Sequence, residues 1–379
     1  MAGVSDGVAE RRALIRLAHG VEPGDARIGR LVAESGAVAA LARLRDTGRG
    51  SVHLDGIRAR LASAGPDDPD ARATEVGAAI VTRLDRDWPS QLDDLGHQAP
   101  FALWVSGAAS LRLLALRSVA VVGARACTAY GEEVARSWSA ELGGERWSVL
   151  SGGAYGIDAA AHRGALAAGG TTICVLAGGV DMPYPRAHDA LIARIADEGL
   201  VVSESPPGES VRRQRFLSRN RLIAALSRAT LVVEAAARSG TIATARAAAA
   251  MNRPVLAVPG PVTSPASAGC HRMIRDGDAL LVESPGDVLD LLDLSHASHS
   301  HGPVAPDPRP RDGLAARERT VLDAVPSRGT VTAEALAAAA AVPIQEAWAA
   351  LGVLEAGGWV LADAEGWRLA RLTPRRRDA

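Results

Sequence analysis

The sequence predicts an α/β protein: a doubly wound, mostly parallel sheet, preceded by a small helical domain and followed by a winged-helix-like domain. Three patterns predict it. Between 118 and 290, short apolar runs alternate with alanine-rich stretches of about ten residues, the pattern of strands joined by helical crossovers. Residues 8–63 show only three-to-four spacing of apolar positions. Residues 313–371 hold three helical runs and then two short apolar runs.

The front segment places Leu14, Ile15, Leu17, Ile28, Leu31 and Val32 at helical spacing. Gly20, Gly24, Gly36, Gly48 and Gly56 punctuate it into short helices. Glycine turns between short helices either bind a DNA backbone through loop amides or simply close a packing module. AGPDDPDAR (64–72) reads as a linker, and residues 76–117 hold short strands and turns around Trp88-Pro89 and Phe101 to Val105. The predicted buried strands then follow at Val119–Val122, Val149–Leu150, Thr172–Leu176, Leu200–Ser203, Leu231–Glu234 and Val255–Val258. Helices are expected at Tyr130–Leu142, Ile157–Ala168, Ala187–Ala196, Arg219–Leu226 and Thr241–Met251. In such a sheet, ligands sit beyond the strand C-termini.

Residues 294–312 are rich in Ser, His and Pro and read as a linker. Its His296, His299 and His301 fit solvated linker residues better than a metal site. Beyond it lie helical runs at Arg317–Val325, Ala333–Ala340 and Ile344–Glu355, then a hairpin over Trp359–Leu361 and Trp367–Leu369. The helix in the recognition position, Pro343–Glu355, carries no arginine and is a poor reader of a major groove. The divisions expected are therefore 1–75, 76–293, the linker, and 313–372.

Composition narrows the chemistry. The formal charge is −1, so any anion site must be a local patch. All 42 basic residues are arginine. With no lysine there is no Schiff base, no Ser-Lys dyad and no Walker-A lysine. Cys127, Cys174 and Cys270 lack metal or redox spacing and fit a reducing cytoplasm. No run approaches ~20 apolar residues, and no signal-like stretch opens the chain, so neither a membrane span nor secretion is expected.

Against that neutral background, six arginines and no acid lie between Arg212 and Arg228, around Phe216, one of only two phenylalanines. Arginines to pair phosphates and a ring to stack a base are the parts of a single-strand groove. The plain alternative is a solvated charged turn. The expected helix buries Leu222, Ile223 and Leu226 and points Arg219 and Arg221 outward. Three glycine turns accompany the run. VAVVGARACTAYG offers Gly123 and Arg125 after a strand. SVLSGGAYGIDAAAH offers Ser151, Gly152 and Gly153, whose amides can receive an anion at a helix N-terminus. Its second strand ends in Ser151, not in the acid a dinucleotide ribose needs. Within it, Asp158 and His162 are four apart, either a proton relay or a dipole-complementing pair. VVEAAARSGTIATA offers Ser239, Gly240 and Thr241. Its Glu234 is either an acid–base group or, preferably, a partner orienting Arg219 or Arg221.

Taken in order, GARACTAYG, SGGAYGIDAAAH, LAGGVDMPYP, SESPPG, FLSRNRLIAALS, VVEAAARSGTIATAR and VLAVPGPVTSPASAGCHRMI resemble the DNA-processing protein A (DprA/Smf) family over about 76–290. The resemblance implies an extended Rossmann-like domain behind a SAM- or helix-hairpin-helix-like front. It also implies binding and protection of single-stranded DNA, loading of the recombinase RecA in natural transformation, homodimerisation through the Rossmann-like domain, and no catalytic turnover or cofactor. By position it puts Gly123 and Arg125 on the backbone and makes Ser151, Gly152 and Gly153 a phosphate cradle. It puts a cation at Arg213–Arg215, stacks a base on Phe216, lines the pocket with Arg219, Asn220 and Arg221, and closes it with Ser239, Gly240 and Thr241. Two departures stand out: Leu217 replaces the proline common after the Phe, and arginine alone supplies the positive charge. The competing class is a nucleotide-processing, phosphoribohydrolase-like enzyme. Its loop places a catalytic Glu where this chain has Ala245.

Overall fold

A computed structural model describes residues 2–46, 52–63, 69–237, 239–293 and 310–370. His296, His299 and His301, with most of the expected linkers, lie outside the described residues. The front domain consists of α1 (Ala2–Gly20), α2 (Ala26–Ser35), α3 (Ala37–Arg45), α4 (Val52–Ser63) and α5 (Pro69–Glu75). Its core gathers Leu14, Leu17, Ile28 and Val32 from the stripe seen in the periodicity, and adds Leu41 and Leu44 of α3. The neighbouring positions Ile15 and Ala18 on α1 pack instead with Trp104 of the sheet. One helix thus serves two cores, and the front domain is fixed to the sheet by apolar burial.

The sheet begins with β1 (Ala78–Val81) and β2 (Leu103–Ser106), separated by a 3-10 segment, Ser90–Gln98. Then come α6 (Leu111–Leu116), β3 (Ser118–Val122), α7 (Ala129–Gly144), β4 (Ser148–Ser151), α8 (Ile157–Ala167) and β5 (Thr172–Leu176). After these follow α9 (Asp189–Glu198), β6 (Leu200–Ser203), α10 (Arg213–Leu226), β7 (Ala229–Val232), α11 (Thr241–Ala250) and β8 (Val255–Ala257). The unit closes with α12 (Ala268–Arg275), β9 (Leu280–Leu281) and α13 (Pro285–Asp293). Nine strands stand in the order β1-β2-β6-β5-β4-β3-β7-β8-β9. Only β1 with β2 and β2 with β6 are antiparallel. Successive side chains of β3 feed opposite faces, as a strand's period of two requires: Val119 and Val121 into one core, Ala120 and Val122 into the other. From β3 the chain winds one way through β4, β5 and β6, and from β7 the other way through β8, so the switch point lies between β3 and β7.

Several boundaries shift from the sequence expectation, and two of the shifts have a visible cause or consequence. Strand β7 starts at Ala229, two residues early, because it pairs Val119 with Ala229 and the Arg228 amide donates to Ser118 O. Helix α10 starts at Arg213, six residues early, so Phe216 sits in a helix and not in a loop. Leu217 supplies the backbone N–H that a proline inside this helix would remove.

The tail comprises α14 (Ala316–Ala324), α15 (Ala333–Ala340), α16 (Ile344–Ala356) and the hairpin β10 (Val360–Asp363) with β11 (Gly366–Leu369). Its core gathers Val321, Leu336, Leu351 and Trp367 and takes in Leu116 from the sheet domain. It docks where the sheet strands begin. Ser327 Oγ donates to Asp85 O at 2.9 Å, and Arg112 donates to Ala324 O. Arg228 Nη1 donates to Thr320 Oγ1 at 3.1 Å, so this last arginine of the run belongs to the tail interface. No single helix among the described residues is long and apolar enough to cross a membrane.

Candidate nucleic-acid interface

Every segment singled out in the glycine turns and the arginine run leaves the C-terminal edge of the sheet. Only part of each faces outward. At the end of β3, Arg125 is exposed and its guanidinium lies 4.7 Å from the centre of the Phe216 ring. Such a cation over a ring face is worth ~0.5–1 kcal/mol at an exposed site. Tyr184, from the loop after β5, meets Phe216 edge to face at 5.6 Å. Beside the ring opens a depression of about 320 Å³, lined by Met182, Pro183, Tyr184, Arg186, Ser210, Val211, Arg213 and Phe216. No acid lines it. Arg213 and Arg186 are exposed, as is Tyr184 at 48%. The sequence reading does not single out Tyr184 and Arg186, although LAGGVDMPYP is one of the family-like segments. An aromatic held between two prolines was the available signal.

Arg212 is exposed, but Arg215, Arg219 and Arg221 turn inward, the last two contrary to the expected outward direction. Arg215 is 6% exposed and pairs with Glu22 at 3.1 Å and Glu209 at 2.9 Å. Arg221, 7% exposed, bonds the Glu204 carboxylate through Nη2. Arg219 donates to the carbonyls of Gly152, at 2.7 Å, and Val175. Buried cations need such partners, and each one here has them from the protein itself. Glu234, expected to orient Arg219 or Arg221, does neither. Its carboxylate accepts from Thr128 N at 2.9 Å and Thr128 Oγ1 at 2.6 Å, tying α7 to the end of β7.

The glycine turns are also partly spent. Ser151, Gly152 and Gly153 are buried. Ser151 Oγ donates to Val121 O at 2.7 Å, and Asp158 accepts from the amides of Gly152 and Ala154 at 3.2 and 3.3 Å. Of the amides expected to be open to a phosphate, that of Gly152 is therefore occupied by a carboxylate of the following helix. A side chain at Gly152 would meet the Arg219 guanidinium, which explains the glycine by packing. Burial pushes the Asp158 carboxyl up, with Arg219 and the amides opposing. Asp158 and His162 do not pair: His162 Nδ1 lies 2.7 Å from Thr172 Oγ1. Because the Thr172 hydroxyl donates to Val149 O at 2.6 Å, Nδ1 is the donor in that contact. Burial lowers the imidazole to about 3, so it stays neutral at neutral pH.

At the switch point, Thr241 is buried and its hydroxyl donates to Gly123 O at 3.0 Å. Ser239 Oγ accepts from Thr241 N at 3.2 Å. Asn220 Nδ2 lies 3.5 Å from Gly240 O, and Gly240 itself is exposed. Of the expected residues, Gly123, Arg125, Arg213, Phe216, Asn220, Ser239 and Gly240 reach the surface at least in part. Ser151, Gly152, Gly153, Arg215, Arg219, Arg221 and Thr241 stand behind them. Among the described residues no cluster of His, Cys, Asp and Glu is built to hold a metal.

The family model for DNA recombination-mediator protein A matches residues 79–293, nearly the whole sheet domain. This chain belongs to the DprA family. It is 41% identical over 376 residues to the putative DNA processing protein DprA of Mycobacterium tuberculosis, covering 95% of this chain and 94% of that one. The crystal structure of DprA from Streptococcus pneumoniae superposes with a TM-score of 0.60 at 32% identity, covering 73% of this chain and 95% of the other. DprA from Helicobacter pylori, whose structure describes its single-stranded DNA binding mode, superposes at 0.52 with 27% identity, covering 57% and 95%. A mostly parallel sheet flanked by helices is thus shared with solved DprA structures.

Proposed function

We propose that this chain binds and protects single-stranded DNA and loads RecA onto it as a homodimer, without catalytic turnover. The observation that carries the reading is the half-buried Phe216 ring between Arg125 and Tyr184, beside an acid-free depression edged by Arg186 and Arg213. Phosphates pair with the exposed guanidiniums, a base stacks on the aromatic pair, and no base edge is read, so binding tolerates sequence. The single-strand binding of the Helicobacter relative supports the ligand, and the mediator description of the family supports delivery to a recombinase. The absence of a carboxylate at Ala245 and the engagement of Glu234 by Thr128 argue against the phosphoribohydrolase-like alternative. For the dimer, the two-residue edge strand β9 leaves the side chains of Leu280 and Leu281 53% and 47% exposed, an apolar contact for a second copy.

Binding should weaken linearly in log–log plots as salt rises. Arg125→Ala with Arg213→Ala should flatten that slope by about 1.4, at ~0.7 per phosphate on a single strand. Fluorescence titration of oligothymidine across salt measures it, and an unaltered slope would show that these guanidiniums face no phosphate. The full chain should also shorten the lag of RecA's ATPase on single-stranded DNA. Leu280→Lys with Leu281→Lys should sediment as a monomer and lose that effect; no shortening by the parent chain refutes loading, and unchanged sedimentation refutes the edge as the dimer contact.

A further inference from the structure

Helix α10 opens with the wrong charge. Arg212 caps its N-terminus without a side-chain hydrogen bond, Arg213 and Arg215 occupy its first turn, and no acid accompanies them. The N-terminal end of a helix carries partial positive charge, so cations there are disfavoured and anions favoured. Two carboxylates from outside the helix answer this. Glu209 comes from the same domain, but Glu22 comes from the front domain, in the loop joining α1 to α2. Glu22 reaches Arg215 at 3.1 Å and Arg212 at 3.4 Å.

That loop is built to hold its position. The Val21 amide bonds Leu17 O at 2.8 Å, the Asp25 amide bonds Glu22 O at 3.2 Å, and Asp25 caps α2 by accepting from Arg27 N. Gly24 takes φ +79°, and a side chain there would run against Nε of Arg221 at 2.8 Å. The loop therefore lies directly on the inner arginines of α10, while Phe216, one residue beyond Arg215, projects towards Arg125 and Tyr184. Burial raises the Glu22 carboxyl, but the hydrogen bond and charge of Arg215 outweigh it and hold it below the usual range, so it is ionised at neutral pH.

We infer that Glu22 is a positioning residue for the strand site: by pinning Arg215 it sets the first turn of α10, and with it the plane of the Phe216 ring. The front domain then contributes to single-strand affinity without touching DNA. The inference rests on the stacking reading of Phe216. It opposes simple electrostatics, because removing a carboxylate beside an anion site should otherwise tighten binding.

The test is a double-mutant cycle on the full chain, with oligothymidine as the probe and thermal melting to confirm folding. Glu22→Ala should weaken binding roughly threefold to tenfold, the scale of coupling between neighbouring residues. Glu22→Gln, which keeps an acceptor oxygen, should lose less. In a Phe216→Ala background the effect of Glu22→Ala should vanish. Tighter or unchanged binding by Glu22→Ala overturns the inference, as does an equal loss in both backgrounds, which marks a general structural role. If Phe216→Ala alone leaves affinity unchanged, the stacking reading fails and takes this inference with it.

Discussion

Replacing Arg221 with alanine is expected to destabilise the protein by about 3–5 kcal/mol, the usual cost of leaving one member of a buried ion pair alone. Its Nη2 bonds both Glu204 oxygens, at 2.6 and 2.5 Å, and the two side chains are only 8% and 10% exposed. Glu204 follows directly on β6 and Arg221 lies in the middle of α10, so the pair ties a helix to the strand end beneath it. Without Arg221 the buried carboxylate keeps only the Gly24 backbone hydrogen bond and the charge of Arg215, and must either take a proton or break the packing. Arg221→Met with Glu204→Met should recover most of the loss, because no charge is then stranded. Urea unfolding of the three proteins decides it. A single-variant loss below about 1 kcal/mol would place the pair among surface bridges, which contribute little.

Phe216→Ala is expected to weaken oligonucleotide binding by ~1–3 kcal/mol, the measured scale for a base stacked on an aromatic ring, which corresponds to roughly 5- to 150-fold. The ring is neither core nor fully free. It carries Arg125 on its face and Tyr184 at its edge, so its loss also releases a cation–π contact and widens the depression. Phe216→Leu should behave much like alanine, since it restores apolar volume without a π-face, whereas Phe216→Trp should bind at least as well as the parent. Equal affinity of the leucine variant and the parent would show that the position contributes bulk and not stacking. Thermal unfolding should barely move in any of these, because the position is partly exposed.

The contrast between those two positions shows what the sequence makes legible. Apolar runs with a period reveal the sheet: Thr172–Leu176 and Leu200–Ser203 are found as read, because buried parallel strands carry their environment in their own composition. Phe216 is legible for the opposite reason, as a rare ring in polar surroundings. The direction of each arginine is not. In sequence alone, Arg215, Arg219 and Arg221 look solvated; their burial depends on Glu22, Glu204 and Gly152, which lie elsewhere in the chain. Glu234 misleads in the same way, since its partner Thr128 lies 106 positions away. Local pattern reports burial of apolar groups well, whereas the partner of a buried charge is a property of topology.

The tail sits where the sheet strands begin, and the proposed strand site where they end. Strands of four or five residues put roughly 13–17 Å of hydrogen-bonded sheet between the two. The sheet therefore works as a spacer. The proposed strand site at Phe216 thus stands apart from Trp348 and Val353 of α16, each 50% exposed. The depth of the sheet keeps anything held at the proposed strand site away from that face of the tail.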